Sequence, residues 1–185
     1  NKASFVNYLI LSQIGTPASL DIKDVKSYLT EFLMDENIIS IPRPFRDLLV
    51  KRIIIPLRTS KSAKKYEKIW QPEGSPLAIH TTNFSTKIQN KLGSDWTVLH
   101  SYRYGSSRIH EVMKGINLKK GDKIFFLPLY PQYALATTFS ATQEFNKTVT
   151  DLRITSKIIK ILPAFYREAW YVNSVASIIK NYLKI

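Results

Sequence analysis

Apolar residues in this chain come in two kinds of block, and the blocks take turns. Residues 5–14 are a nearly unbroken apolar run, which predicts a strand closed by the turn Gly15-Thr16-Pro17. In residues 22–33 the spacing changes. Ile22, Val25, Leu29, Phe32 and Leu33 recur at helical intervals, with Asp21 before them as an N-cap. A short extended link over 37–40 leads to Pro42 and Pro44. Over 45–69 an apolar block of Leu48, Leu49, Ile53, Ile54, Ile55 and Leu57 is interleaved with Arg46, Lys51, Arg52, Arg58, Lys61, Lys64, Lys65 and Lys68. That pattern predicts a pair of basic amphipathic helices broken near Pro56.

After a loop over 70–76, Ser75 or Pro76 opens a helix that runs to Leu92, before Gly93. Residues 96–102 alternate and are rich in β-formers, a second strand ending at Arg103-Tyr104-Gly105. Ser106 or Ser107 caps a helix to Lys114. A third strand over 123–127, a helix over 134–150, a fourth strand over 153–162 and a closing helix over 166–183 complete the order. Strand and helix alternate, with connections long enough for crossovers. The expected fold class is α/β: a single lobe over residues 1–185 on an open, mainly parallel four-stranded sheet with helices on both faces.

The third strand carries the most informative turn. Pro128 and Pro131 stop its ladder, and Thr137 and Thr138 lead into the next helix. A buried strand, a rigid loop and a helix start together form the place where open α/β sheets bind ligands. With Tyr130 and Tyr133 and little charge, this mouth suits something large, flat or apolar.

Composition narrows the classes. A chain of 185 residues that is 44% hydrophobic and 22% charged suits one globular core. No run approaches a membrane span and no signal-peptide layout is visible, so a cytoplasmic protein is expected. The absence of cysteine excludes disulfides and iron–sulfur ligands from this chain. A net charge of +13 asks for a solvated surface or an anionic partner. Nucleic acid is disfavoured, since the basic segment has few aromatics and no nucleic-acid motif. Its bases flank an apolar block instead, which fits an amphiphilic ligand or a membrane surface.

No glycine fingerprint for nucleotides and no catalytic serine motif is present. His80, His100 and His110 stand at no metal-ligand spacing and read as surface or packed residues, with His100 in a strand the one to watch. Arg58, Tyr66 and Ser75 form a more useful set. On a helix Tyr66 lies about two turns past Arg58, and the loop can bring Ser75 back beside them. A guanidinium, a phenol and a hydroxyl suit the carboxylates of a bulky acid.

Several of these motifs resemble one family in order. Leu11-Ser-Gln-Ile-Gly-Thr-Pro17 is similar to the opening strand of ferrochelatases, and Val25-Lys-Ser-Tyr-Leu-Thr-Glu-Phe-Leu33 to their first helix. Ile54-Ile-Pro-Leu-Arg58, Tyr66-Glu-Lys-Ile69, Gly74-Ser-Pro-Leu77, Arg103-Tyr-Gly105 and Leu127-Pro-Leu-Tyr-Pro-Gln-Tyr133 extend the resemblance over the whole chain. The family inserts ferrous iron, as a substrate, into protoporphyrin IX. The resemblance implies porphyrin contacts at Arg58, Tyr66 and Ser75, with Ile14 beside the macrocycle and Arg103, Tyr104 and Tyr130 at the inner end of the cleft.

The departures carry expectations of their own. Gln13 replaces a common Asn, and Leu135 stands where cluster-bearing members have cysteine. Tyr166 and Glu168 stand where some members have histidine, and neither is assigned a role. Family members are nearly twice as long, and their catalytic histidine and its acidic partner lie in a second lobe, beyond Ile185. The chain is therefore expected to hold no catalytic residue, no metal ligand and no resident cofactor, and to be inactive alone. A stand-alone porphyrin- or haem-binding module is the alternative. A missing C-terminal lobe would leave apolar surface around Tyr130, Tyr133 and Ile53 to Ile55. Such a surface recruits a partner, a second copy of the chain or the inner membrane face.

Overall fold

The computed structural model describes residues 5–155 and 158–184. Four strands, β1 (Asn7–Thr16), β2 (Trp96–Gly105), β3 (Lys123–Pro128) and β4 (Ile158–Ile161), pair in the order β2-β1-β3-β4. All three pairings are parallel. The first strand is therefore central, flanked by β2 through Leu11 opposite His100 and by β3 through Leu11 opposite Leu127.

Helices cover both faces, and the period of two along each strand decides which residues meet them. Ile10, Ile124 and Phe126 point to one face. There they pack with Ile109 and Met113 of α5 (Ile109–Lys114) and with Ala141 and Phe145 of α6 (Ser140–Asp151). Phe126 and Phe145 are fully buried and stack with ring centroids 4.2 Å apart. Each contributes roughly 1.5–3 kcal/mol by burial alone. The opposite face takes α4 (Pro76–Leu92), and Trp96 meets Phe125 there across β1. His100 shares this second face, half-buried with Tyr102 beside it at 5.8 Å. Burial pulls its pKa below the usual histidine value.

Helix α1 (Ile22–Leu33) presents Val25, Tyr28, Leu29 and Leu33 to a second core over the carboxyl end of the sheet. Its partners are Val50, Ile55 and Ala63 of the basic segment, together with Tyr104 of β2. That segment is one continuous helical run, correcting the expected break near Pro56. Helix α2 (Arg43–Leu48) passes through a π-helical stretch (Leu49–Ile54) directly into α3 (Ile55–Glu67). The wider turn accommodates Pro56, which has no N–H to give and whose ring would crowd the carbonyl four residues back. A second π-helical turn (Leu135–Phe139) precedes α6, with Phe139 N–H donating to the Ala134 carbonyl at 3.1 Å.

Other local expectations change too. β1 runs on through Gly15 and Thr16, where a turn was expected. Gly15 has φ +106°, and a Cβ there would stand 2.0 Å from the Tyr104 carbonyl oxygen, so the closeness of β1 to β2 requires glycine. Residues 36–39 are not extended but coil into a turn in which Ile38 and Ile39 N–H donate to the Asp35 carbonyl. Asp21 precedes α1 without a side-chain cap bond. Instead Ser19 Oγ donates to Asp24 Oδ2 at 2.7 Å. The cap of α5 is Arg108, not Ser106 or Ser107, and Glu111 accepts from Arg108 N–H at 3.1 Å.

The fourth strand is confined to Ile158–Ile161, because the Ile154 N–H still donates back to Val149 and closes α6. The part of that expectation at 156–157 lies outside the described residues. Helix α7 (Ala169–Leu183) starts three residues later than expected, after a turn joining Phe165 to Glu168, and buries none of its residues. No helix among the described residues is long and apolar enough to cross a membrane.

Candidate functional site

At the carboxyl end of β1 the strand, α1 and α3 diverge and leave a cleft of about 340 Å³. Helical periodicity explains its walls. Arg58, Ser62, Lys65 and Tyr66 are spaced along one face of α3, with Ile69 in the turn after it, and Tyr28, Leu29 and Phe32 along the facing stripe of α1. Ile14 closes the end from β1. Gln13, just before it, turns its side chain back so that Oε1 accepts from Ile14 N–H at 3.0 Å.

The walls are aromatic and continuous. Tyr66 meets Tyr28 edge-on at 6.4 Å, Tyr28 stacks on Phe32 at 6.2 Å, and Phe32 meets Tyr104 edge-on at 5.4 Å. Trp70 extends the row beyond Tyr66 at 6.2 Å. Burial pushes the phenols of Tyr28 and Tyr66 above the ordinary tyrosine value, so both stay neutral at physiological pH. Tyr28 is further fixed by donating to the Gly15 carbonyl at 3.1 Å. Arg58 is exposed on the rim and makes no ion pair among the described residues. A free guanidinium above an apolar aromatic slot can take a carboxylate while a flat ring lies against the aromatics.

The seven residues singled out from the sequence therefore divide. Arg58, Tyr66 and Ile14 share the cleft. Ser75 does not line it. It is 5% exposed at the start of α4, and its hydroxyl accepts from Thr16 Oγ1 at 2.9 Å, behind the end of β1. Arg103 and Tyr104 line a neighbouring cavity with Asp35, Glu31, His110 and Glu144. Tyr130 stands nearby, its hydroxyl buried without a hydrogen-bond partner among the described residues. Burial and the neighbouring Tyr104 phenol raise its pKa.

Asp35 is the residue the sequence reading missed. Its carboxylate takes Arg103 Nη2 at 2.7 Å and the hydroxyls of Tyr104 and Ser140 at 2.6 Å each. Burial by itself would raise its pKa, but the hydrogen bonds from Ser140, Tyr104 and Asn37 and the charge of Arg103 together hold it below the usual carboxylate range. A signal was available. Asp35 follows the C-cap of α1, where the helix dipole disfavours an anion, so a carboxylate there implies partners.

Fold and site together define an α/β lobe that offers an open, aromatic cleft with a cationic rim beyond the ends of parallel strands. Residues 8–185 match the Ferrochelatase family, and the chain belongs to it. It is 38% identical over 176 residues to a ferrochelatase of Legionella pneumophila (strain Paris), and 35% identical over 176 residues to one of Bdellovibrio bacteriovorus. In both cases the match covers 95% of this chain and 52% of the relative. A ferrochelatase of Coxiella burnetii is 33% identical over 175 residues, covering 95% of this chain and 48% of that protein. The chain spans about half the length of the curated relatives it matches.

Proposed function

We propose that this chain is the N-terminal half of a ferrochelatase and supplies one wall of the cleft in which ferrous iron is inserted into protoporphyrin IX. The observation that carries this reading is the unpaired Arg58 at the rim of an aromatic slot shared with Ile14, Tyr28, Phe32 and Tyr66. Protoporphyrin is a flat, apolar macrocycle with two carboxylates on one edge. Arg58 and Lys65, both on the cleft face of α3, offer one cation for each, and the tyrosine and phenylalanine rings take the face. Ser75 shapes the site through Thr16, and Arg103, Tyr104 and Tyr130 form its inner end.

Metal insertion must also remove two protons from pyrrole nitrogens, which needs a base. Among the described residues the cleft beside Arg58 is lined by no histidine and no carboxylate, and in the cavity at its inner end the Asp35 carboxylate is already taken by Arg103, Tyr104 and Ser140. The chain alone binds porphyrin and does not turn it over; a second lobe completes the site. Helix α7 supports this division, since Val172, Val175, Ile179 and Leu183 stand 36–56% exposed along one side of it and offer an apolar stripe to a packing partner. Of the apolar residues expected to be bare, Tyr133 and Ile53 are exposed, while Tyr130 and Ile54 are half-buried. Ile55 is buried, while Phe45, Leu48, Ile53 and Leu57 are exposed beside Arg43, Lys51 and Arg52. That edge rests on an anionic membrane surface, from which an apolar porphyrin can pass into the cleft.

Titration with protoporphyrin, followed at the Soret band, tests the binding reading. Micromolar or tighter binding is expected, weakened about tenfold by Arg58→Ala. A wild-type chain that leaves the band unmoved overturns it. Zinc insertion assayed on the same chain tests incompleteness, and sustained turnover would falsify that part. Flotation with phosphatidylglycerol vesicles checks the membrane edge: loss of co-flotation in Leu48→Glu supports it, and a wild type that stays at the bottom removes it.

A further inference from the structure

Asp35 is 8% exposed and saturated. Its Oδ1 accepts from Asn37 N–H at 2.7 Å and from the Asn37 side-chain amide at 3.0 Å. Its Oδ2 accepts from Arg103, Tyr104 and Ser140. The last three donors come from two distant places: Arg103 and Tyr104 end β2, and Ser140 is the first residue of α6. Arg103 doubles the tie, its Nε donating to Ser140 Oγ at 2.8 Å.

Ser140 is also where the 129–134 loop is moored. The π-helical turn before it is continuous with that loop, because Thr138 Oγ1 donates to the Gln132 carbonyl at 3.2 Å and Phe139 N–H to the Ala134 carbonyl. The other end of the loop is fixed by Leu129 N–H on the Ser12 carbonyl at 2.8 Å. Between these moorings the Tyr130 hydroxyl has no hydrogen bond among the described residues. Its ring packs on the core under α5 and α6, and the Pro131 carbonyl beside it accepts from Phe165 and Tyr166 N–H, so the two ends set how the ring is turned toward the cleft.

We propose that Asp35 is a positioning residue: by clamping the end of β2 to the first turn of α6 it fixes the Tyr130 ring beside Tyr28 and Tyr104, and so sets the inner wall of the porphyrin cleft. The cleft part of this inference rests on the function proposed above. Asp35→Asn keeps the shape but loses the charge and one accepting oxygen, so the side chain can no longer accept from Asn37 and from the Arg103, Tyr104 and Ser140 group together. Ser140→Ala removes the α6 side of the clamp, the hydroxyl that meets Asp35, Arg103 and Tyr104, and leaves the Asp35–Arg103 pair intact.

The test uses the chain labelled with meta-fluorotyrosine, with the Tyr130 resonance assigned through Tyr130→Phe. In porphyrin-free protein Asp35→Asn is expected to shift or split that resonance, and to weaken protoporphyrin binding about tenfold. Ser140→Ala should move it in the same direction and weaken binding about threefold, and it decides the matter alone if Asp35→Asn does not fold. Leu9→Ala, a core truncation on the α4 face, lowers stability without touching the clamp and should leave both readouts in place. A Tyr130 resonance unmoved in both clamp variants, or moved equally by Leu9→Ala, overturns the proposal. A resonance that moves while Asp35→Asn and Tyr130→Phe both bind porphyrin like wild type supports the clamp and places the failure in the cleft assignment.

Discussion

Arg58 and Arg103 stand toward the two ends of one aromatic row, the first in the cleft with Tyr66 and the second with its guanidinium 4.6 Å from the Tyr104 ring centroid. Arg58 is exposed on α3 and has no ion pair among the described residues. Arg103 donates to Asp35 and Ser140 and lies 3.8 Å from Glu144. The same side chain thus has two uses within one end of a sheet. A guanidinium left open can be completed by a carboxylate that arrives from solution. One already completed by the protein holds chain segments together and has little left to offer a ligand.

The contrast breaks most visibly at Arg103. Arg103→Ala leaves the Asp35 carboxylate buried without its counter-charge. A loss of about 3–5 kcal/mol is expected in urea unfolding, and a loss below about 1 kcal/mol would mean the pair is incidental. Acid reads the same group. The folded pKa of Asp35 lies below its ordinary value of about 3.9, so the stability it contributes is complete above that value. It is lost as pH falls through the lower folded pKa. Thermal melts from pH 5 downward should show this loss in the wild type and a shallower slope in Asp35→Asn. Arg58→Ala sharpens the other side. It should cost porphyrin affinity while leaving stability within about 0.5 kcal/mol, because nothing in the fold depends on it. The smallest effect belongs to Ser75→Ala. Losing the Thr16 bond should cost about 1 kcal/mol of stability with little change in porphyrin affinity, and an affinity loss matching that of Arg58→Ala would place Ser75 in direct contact with the ligand.

The cleft was partly legible in the sequence for a physical reason. Arg58 and Tyr66 lie on one helix, and a helix of known period places residues eight apart on one face whatever else the chain does. Asp35 and Arg103 are 68 residues apart, and Asp35 and Ser140 are 105 apart. No local pattern joins them, and the resemblance that drew attention to Arg103 and Tyr104 carried no information about what they touch. Pro56 shows a related limit. A proline predicts a broken helix, but the packing of Val50 and Ile55 on α1 keeps the run continuous through a wider turn.

By itself the sequence determined the order of strands and helices, their apolar faces and the cationic character of α3, because burial periodicity and charge are written residue by residue. Only the tertiary structure decided that β1 is central, that Ser75 turns behind the strand to Thr16, that α7 stays uncovered, and which arginine is free and which is saturated. Those outcomes depend on contacts between segments far apart in the chain. Whether a charge is solvated or paired is set by the geometry that brings its partners together, not by the residue that carries it.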